Sequence, residues 1–122
     1  MTLSTGPTLN FFRDHVFAWS GQEALTAGVT TLLDFISPNR FYSVVTNVSF
    51  DYSGCSAGDA LSWTLIGNGE ALHTSKFLII DAGLGPQFPN LYYTIPPNTG
   101  IQVKAQGPSG LMTVILEGKE VT

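Results

Sequence analysis

The chain has 122 residues, 43% of them hydrophobic and only 11% charged, with a formal net charge of -4. That length suits one domain with a single real core, and the composition is the reverse of a disordered chain's. The five cations (Arg13, Arg40, Lys76, Lys104, Lys119) are scattered, which argues against direct nucleic-acid binding, and the single cysteine, Cys55, excludes a disulfide framework.

Charge this far below the usual quarter or so of residues suggests that part of the outer surface is covered by something else. Met1 to Asn10 lacks a basic region followed by an apolar run, so no signal peptide is expected. No apolar stretch approaches the roughly 18 residues of a membrane span, so no membrane partner is expected either.

In chain order, residues 1–12 (MTLSTGPTLNFF) are small, polar and interrupted by Gly6-Pro7; they read as an extended arm that orders against a neighbour. Residues 13–122 read as one β domain. Eight segments rich in Val, Ile, Thr and aromatic residues follow the arm, at 14–20, 28–36, 41–52, 60–66, 71–80, 90–95, 100–106 and 111–118. The third alternates most clearly, with Tyr42, Val44, Thr46, Val48, Phe50 and Tyr52 on one face and Ser43, Val45, Asn47, Ser49 and Asp51 on the other. A short helix has room near residues 22–27. Gly67-Asn68-Gly69 is a hairpin signal, because Asn and Gly tolerate the positive φ of a tight turn. Pro96-Pro97-Asn98-Thr99-Gly100 and Gly107-Pro108-Ser109-Gly110 mark two further reversals, and residues 83–90 read as an irregular loop. The last three segments are expected to form a meander. Together these signals predict an all-β fold, an eight-stranded antiparallel β-sandwich or jelly roll with an N-terminal extended arm.

Gly54-Cys55-Ser56-Ala57-Gly58 matches G-x-S-x-G, the nucleophile elbow of α/β-hydrolases. The elbow needs a helix after the serine and an acid and a histidine later in the chain. Here Asp59-Ala60-Leu61-Ser62-Trp63-Thr64-Leu65-Ile66 alternates like a strand, and His73 is the only later histidine. The favoured reading is a small-residue loop, with no catalytic residue. His15 and His73 have no metal-ligand spacing around them, and Asp51, Asp59 and Asp81 read as solvated turn residues; no cofactor or metal is expected. Phe11 and Phe12 in the arm and Phe88 in the irregular loop are apolar groups outside the strands, and with Leu3 they are the candidates for contact with a partner. The alternative is packing onto their own sheet.

With its N-terminal Ser/Thr/Gly/Pro arm, its strand Phe41-Tyr42-Ser43-Val44-Val45-Thr46-Asn47-Val48-Ser49-Phe50 and its end Ile95-Pro96-Pro97-Asn98-Thr99-Gly100-Ile101-Gln102-Val103, the chain resembles the small jelly-roll decoration (cement) proteins of tailed bacteriophage capsids. The resemblance implies a non-enzymatic virion structural protein on the capsid exterior, assembled in the host cytoplasm. It implies that the protein binds the major capsid protein, bridges shell subunits, and associates with itself as a trimer or dimer. The alternative is a phage fibre or spike head, or a carbohydrate-binding β-sandwich module, recognising a host surface.

Overall fold

The computed structural model describes residues 8–12, 15–25, 28–37, 39–40, 42–54, 58–79, 83–89, 91–107 and 109–121. Among them are eleven strands and no helix: β1 (Thr8–Phe12), β2 (His15–Trp19), β3 (Glu23–Leu25), β4 (Thr30–Ile36), β5 (Tyr42–Ser53), β6 (Ala60–Gly67), β7 (Glu70–Leu78), β8 (Gly83–Phe88), β9 (Tyr93–Ile95), β10 (Gly100–Gln106) and β11 (Gly110–Val121). They form two antiparallel sheets packed as a sandwich. The larger runs β1-β2-β11-β5-β8, with β3 also on β11 and β9 also on β5; the smaller runs β4-β10-β6-β7.

The interrupted edges reduce this to a simpler plan. β2 and β3 both pair with β11, and β8 and β9 both pair with β5. Taken as two interrupted strands, and with β1 set aside, they leave eight positions in chain order. These fall as 1-8-3-6 in the larger sheet and 2-7-4-5 in the smaller. Only the β6–β7 hairpin joins neighbours within a sheet, and every other connection crosses the sandwich, as in a jelly roll.

All eight expected segments occupy these eight positions, and three further strands appear. Thr8–Phe12, read as part of the arm, is β1 and pairs with β2 from Thr8 opposite Trp19 to Phe12 opposite His15. The space for a short helix at 22–27 holds β3 instead. The irregular loop at 83–90 contains β8, whose pairing with β5 shifts register between Ser49 and Asp51, opposite Gly85 and Pro86. A proline lacks the N–H a ladder needs, so an edge strand with a bulge is where it can sit. The expected meander is overturned as well. β9 and β11 lie in the larger sheet and β10 in the smaller, so the Pro96 and Gly107 turns carry the chain between sheets.

Each sheet turns an apolar face inward. Val48, Phe50, Tyr52, Met112, Val114 and Leu116 from the larger sheet meet Leu33, Leu61, Trp63, Leu65, Ile101 and Val103 from the smaller. Phe50 and Trp63 lie across the interface with ring centroids 5.3 Å apart. The alternation expected for β5 holds from Val48 onward but reverses before it. Opposite Glu117 and Gly118 the register slips, leaving Thr46 as the extra residue. A bulge of one residue sends every side chain beyond it to the other face. So Ser43 and Val45 are buried and Tyr42 is 49% exposed, while Val44 between them is buried too. The same device in β4, opposite Val103 and Lys104, buries both Leu32 and Leu33.

The turns follow local chemistry. Asn68 and Gly69 take φ of 48° and 81°, the positive pair expected of the β6–β7 hairpin. Asn68 also accepts from Gly100 N–H through Oδ1 and donates its own N–H to Gly100 O, both at 2.8 Å, tying the hairpin to the start of β10. Two buried serines complete ladders where strands break. Ser20 N–H donates to Val114 O (3.1 Å) and Ser20 Oγ accepts from Val114 N–H (3.0 Å). Ser37 does the same with Thr99, at 2.8 and 2.9 Å.

Candidate binding surfaces

Two places could meet another molecule: the outer face of the larger sheet and the seam along its β8–β9 edge. On β11, Met112, Val114 and Leu116 point inward, so Leu111, Thr113, Ile115 and Glu117 point outward. Ile115 stands directly opposite Trp19 of β2, and Leu111 opposite Ala24 of β3. Trp19 is 42% exposed and Leu111 39%. On the β5 side the same rows continue as Ser49, Asp51 and Ser53. The surface therefore carries two apolar pairs, Trp19 with Ile115 and Leu111 with Ala24, separated by Thr113 and bordered by Ser49, Asp51 and Ser53. At one end Asn47 Nδ2 donates to Glu117 Oε1 at 3.0 Å.

The outer face of the smaller sheet is different. Thr64 and Thr74 hydroxyls lie 3.3 Å apart, Ser62 Oγ donates to Gln106 O, and Gln102 Nε2 donates to Asp34 Oδ2. Lys76 and Lys104 stand among them. The outward apolar side chains here are Ile36 (64% exposed) and Leu78 (61%) at strand ends and the half-buried Ile66, opposite Ala71 near the end of β6.

The seam lies where β7, the last strand of the smaller sheet, faces β8 and β9, the edge of the larger. His73 of β7 and Tyr93 of β9 bridge it, with Nδ1 and Oη 2.9 Å apart. The imidazole also lies against Trp63, with centroids 5.1 Å apart. Open grooves of about 320 Å³ flank the bridge on either side.

The expected contact residues are not brought together. Leu3 lies outside the described residues, as do Cys55 and Ser56. Phe11 and Phe12 lie in β1, at the edge of the larger sheet. Phe88 is the last residue of β8, opposite the buried Val48, and its ring packs against Trp63 (4.9 Å), Phe50 (6.1 Å) and Phe77 (6.2 Å). It packs onto its own domain, the alternative raised from sequence. Where the described chain resumes after residues 55–57 it enters β6, not the helix that follows a nucleophile elbow. Asp51 and Asp59 are both exposed. No group of three or more His, Cys, Asp or Glu side chains that could hold a metal ion occurs among the described residues.

The run Leu111 to Leu116, apolar on both faces, reads from sequence as a central strand or as one whose outer face lies against another subunit; the structure makes β11 central and sets Trp19 of β2, which sequence did not single out, opposite Ile115.

No protein-family model matches the chain, and no curated protein matches it. Among solved structures it is similar to the structure of infectious bursal disease virus Gx strain, with TM-score 0.47 and 15% identity over 92% of this chain and 33% of that one. It is also similar to the infectious bursal disease virus VP2 subviral particle (TM-score 0.40, 15% identity, 83% and 34%). A third likeness is to dimeric latent PorU from Porphyromonas gingivalis (TM-score 0.41, 14% identity, 80% and 10%). The chain spans about a third of the length of these viral chains and a tenth of PorU.

Proposed function

We propose that this domain is a non-catalytic virion structural module, a decoration protein on the outside of a capsid. In this reading the outer face of the larger sheet joins copies into a trimer or dimer, and residues 1–7 reach from the β1 edge onto the major capsid protein. One observation carries the reading: the larger sheet sets Trp19 beside Ile115 in the middle of its outer face, with Leu111 further along β11, whereas the outward apolar groups of the smaller sheet, Ile66, Ile36 and Leu78, stand toward strand ends. A tryptophan and a leucine left about two-fifths exposed beside a half-buried isoleucine are costly in water unless a partner covers them. A packed jelly roll is also stiff, and many weak copies acting together suffice to hold a shell.

The test has two arms. Sedimentation of the purified protein should show a homo-oligomer, and Trp19→Ser with Leu111→Ser should reduce it to a folded monomer. Deleting residues 1–7, which leaves β1 intact, should abolish co-sedimentation with capsids while the thermal transition stays put. A wild-type monomer would remove the role given to the outer face, and undiminished capsid binding by the shortened chain would remove the role given to the arm.

A further inference from the structure

β1 stands outside the eight-position plan, and among the described strands it pairs with β2 alone. The ladder runs from Thr8 opposite Trp19, through Leu9 opposite Ala18 and Phe11 opposite Val16, to Phe12 opposite His15. Only Arg13 and Asp14 are left to connect the two strands. The β6–β7 hairpin has a connection of the same length, between Gly67 and Glu70, and fills it with Asn68 and Gly69 at φ of 48° and 81°.

Two-residue hairpins favour turns that put one or both central residues at positive φ, and so call for Gly, Asn or Asp. An arginine fits poorly there, because its Cβ crowds the backbone. By its chemistry Arg13-Asp14 is therefore a weak closure for a hairpin, whereas the same two residues run extended without that cost. β1 itself (Thr8–Phe12) has neither a charge nor a proline, the usual guards against pairing with another molecule.

We infer that the copies exchange their N-terminal strands, β1 of each pairing with β2 of a neighbouring copy; this rests on the association through the outer face of the larger sheet proposed above. Trp19 ends β2 and belongs to both contacts, opposite Thr8 on one side and Ile115 on the other. Exchange keeps all five residue pairs of the ladder and removes only the turn. Once the outer faces hold the copies together, the neighbour's β2 is at high effective concentration. The reach suffices. From Phe12 to His15 is three Cα steps, up to about 10 Å, close to the spacing of two sheets packed face to face. When the face contact is lost, β1 folds back onto its own β2, so the monomer with Trp19→Ser and Leu111→Ser stays folded.

The experiment uses the whole chain. Equal amounts of deuterated, nitrogen-labelled protein and protonated, carbon-labelled protein are unfolded together in urea, refolded, and searched by NMR for nuclear Overhauser contacts between the two labels. Protons of Leu9 and Phe11 in one chain should meet the amides of Ala18 and Val16 in the other. Core contacts, such as those of Val103 with Leu65, should stay within a chain. Arg13→Asn with Asp14→Gly, which copies the turn of the β6–β7 hairpin, should close β1 onto its own chain and weaken self-association by roughly tenfold in sedimentation. Contacts of β1 with β2 confined to one chain, core contacts between chains, or undiminished association of the Arg13→Asn, Asp14→Gly variant would each overturn the exchange and leave the outer-face contact standing. A monomeric wild type would overturn both.

Discussion

The two sheets share one core but meet the outside differently. The smaller sheet has four unbroken strands, an inward row of Leu61, Trp63, Leu65, Val103 and Ala105, and an outer face of hydroxyls, amides and lysines with Ile66, Ile36 and Leu78 toward its ends. The larger sheet is broken at β2–β3 and β8–β9 and bulged in β5, and its outer face carries Trp19, Ile115 and Leu111. A sheet facing water needs only polar outward residues. A sheet facing another macromolecule needs shape, which bulges and interrupted edges create, and apolar groups for the partner to cover. Bulges occur in both sheets, and it is the half with interrupted strands and an apolar centre to its outer face that is suited to recognition.

The largest expected effect sets one glycine of each sheet against the other. A Cβ on Gly118, beside the β5 bulge, would run into the carbonyl of Val44, and backbone cannot step aside. Gly118→Ala should cost about 3 kcal/mol in urea unfolding. A Cβ on Gly67 would meet only Leu72 Cδ1, at 3.1 Å, the end of a movable side chain. Gly67→Ala should cost less than about 1 kcal/mol. Equal costs would mean that the bulge is not the rigid feature the larger sheet is built around.

Next come the two serines that complete ladders, Ser20 in the larger sheet and Ser37 at the end of β4. Each alanine variant strands a backbone N–H, of Val114 or Thr99, so both should lose about 1 to 2 kcal/mol. If only one does, the strand breaks of the two sheets are not equivalent.

Ser43 makes the opposite prediction. The bulge turns it inward with Oγ unpartnered, beside a small apolar void of about 20 Å³. Ser43→Ala removes a buried hydroxyl that gains nothing, and should raise stability by about 1 kcal/mol. A loss would show that the hydroxyl has a role in the folded state.

The smallest effects on stability fall on the outer faces. Trp19→Ser and Leu111→Ser, each more than half buried, should cost about 1 kcal/mol per site in unfolding, and Thr64→Ser with Lys104→Ser no more than about 0.5 kcal/mol per site. Only the first pair should change the mass in solution. If both or neither do, the contrast between the faces has no functional content.

Much of the architecture was legible in the residues. The run from Ile101 to Gln106 alternates cleanly and is β10, and Asn68-Gly69 marks the hairpin because only such residues take two positive φ values at low cost. β8 was not legible, since Gly83-Leu84-Gly85-Pro86 has the chemistry of a loop and becomes a strand only through its pairing with β5. Phe88 looked like a contact residue for the same reason. The His73–Tyr93 bridge could not be read either, as β7 and β9 lie in different sheets.

The sequence by itself determined the class of the fold and its eight main strands, because alternation and turn chemistry act between near neighbours. It also determined which stretches could line a core. The tertiary structure decided which face each residue takes around the β5 bulge, how the strands divide between sheets, and which side chains from distant segments share a surface. Those outcomes depend on register between strands up to about a hundred residues apart, such as Val16 and Gly118. A one-residue slip inverts every side chain beyond it while leaving the local pattern unchanged.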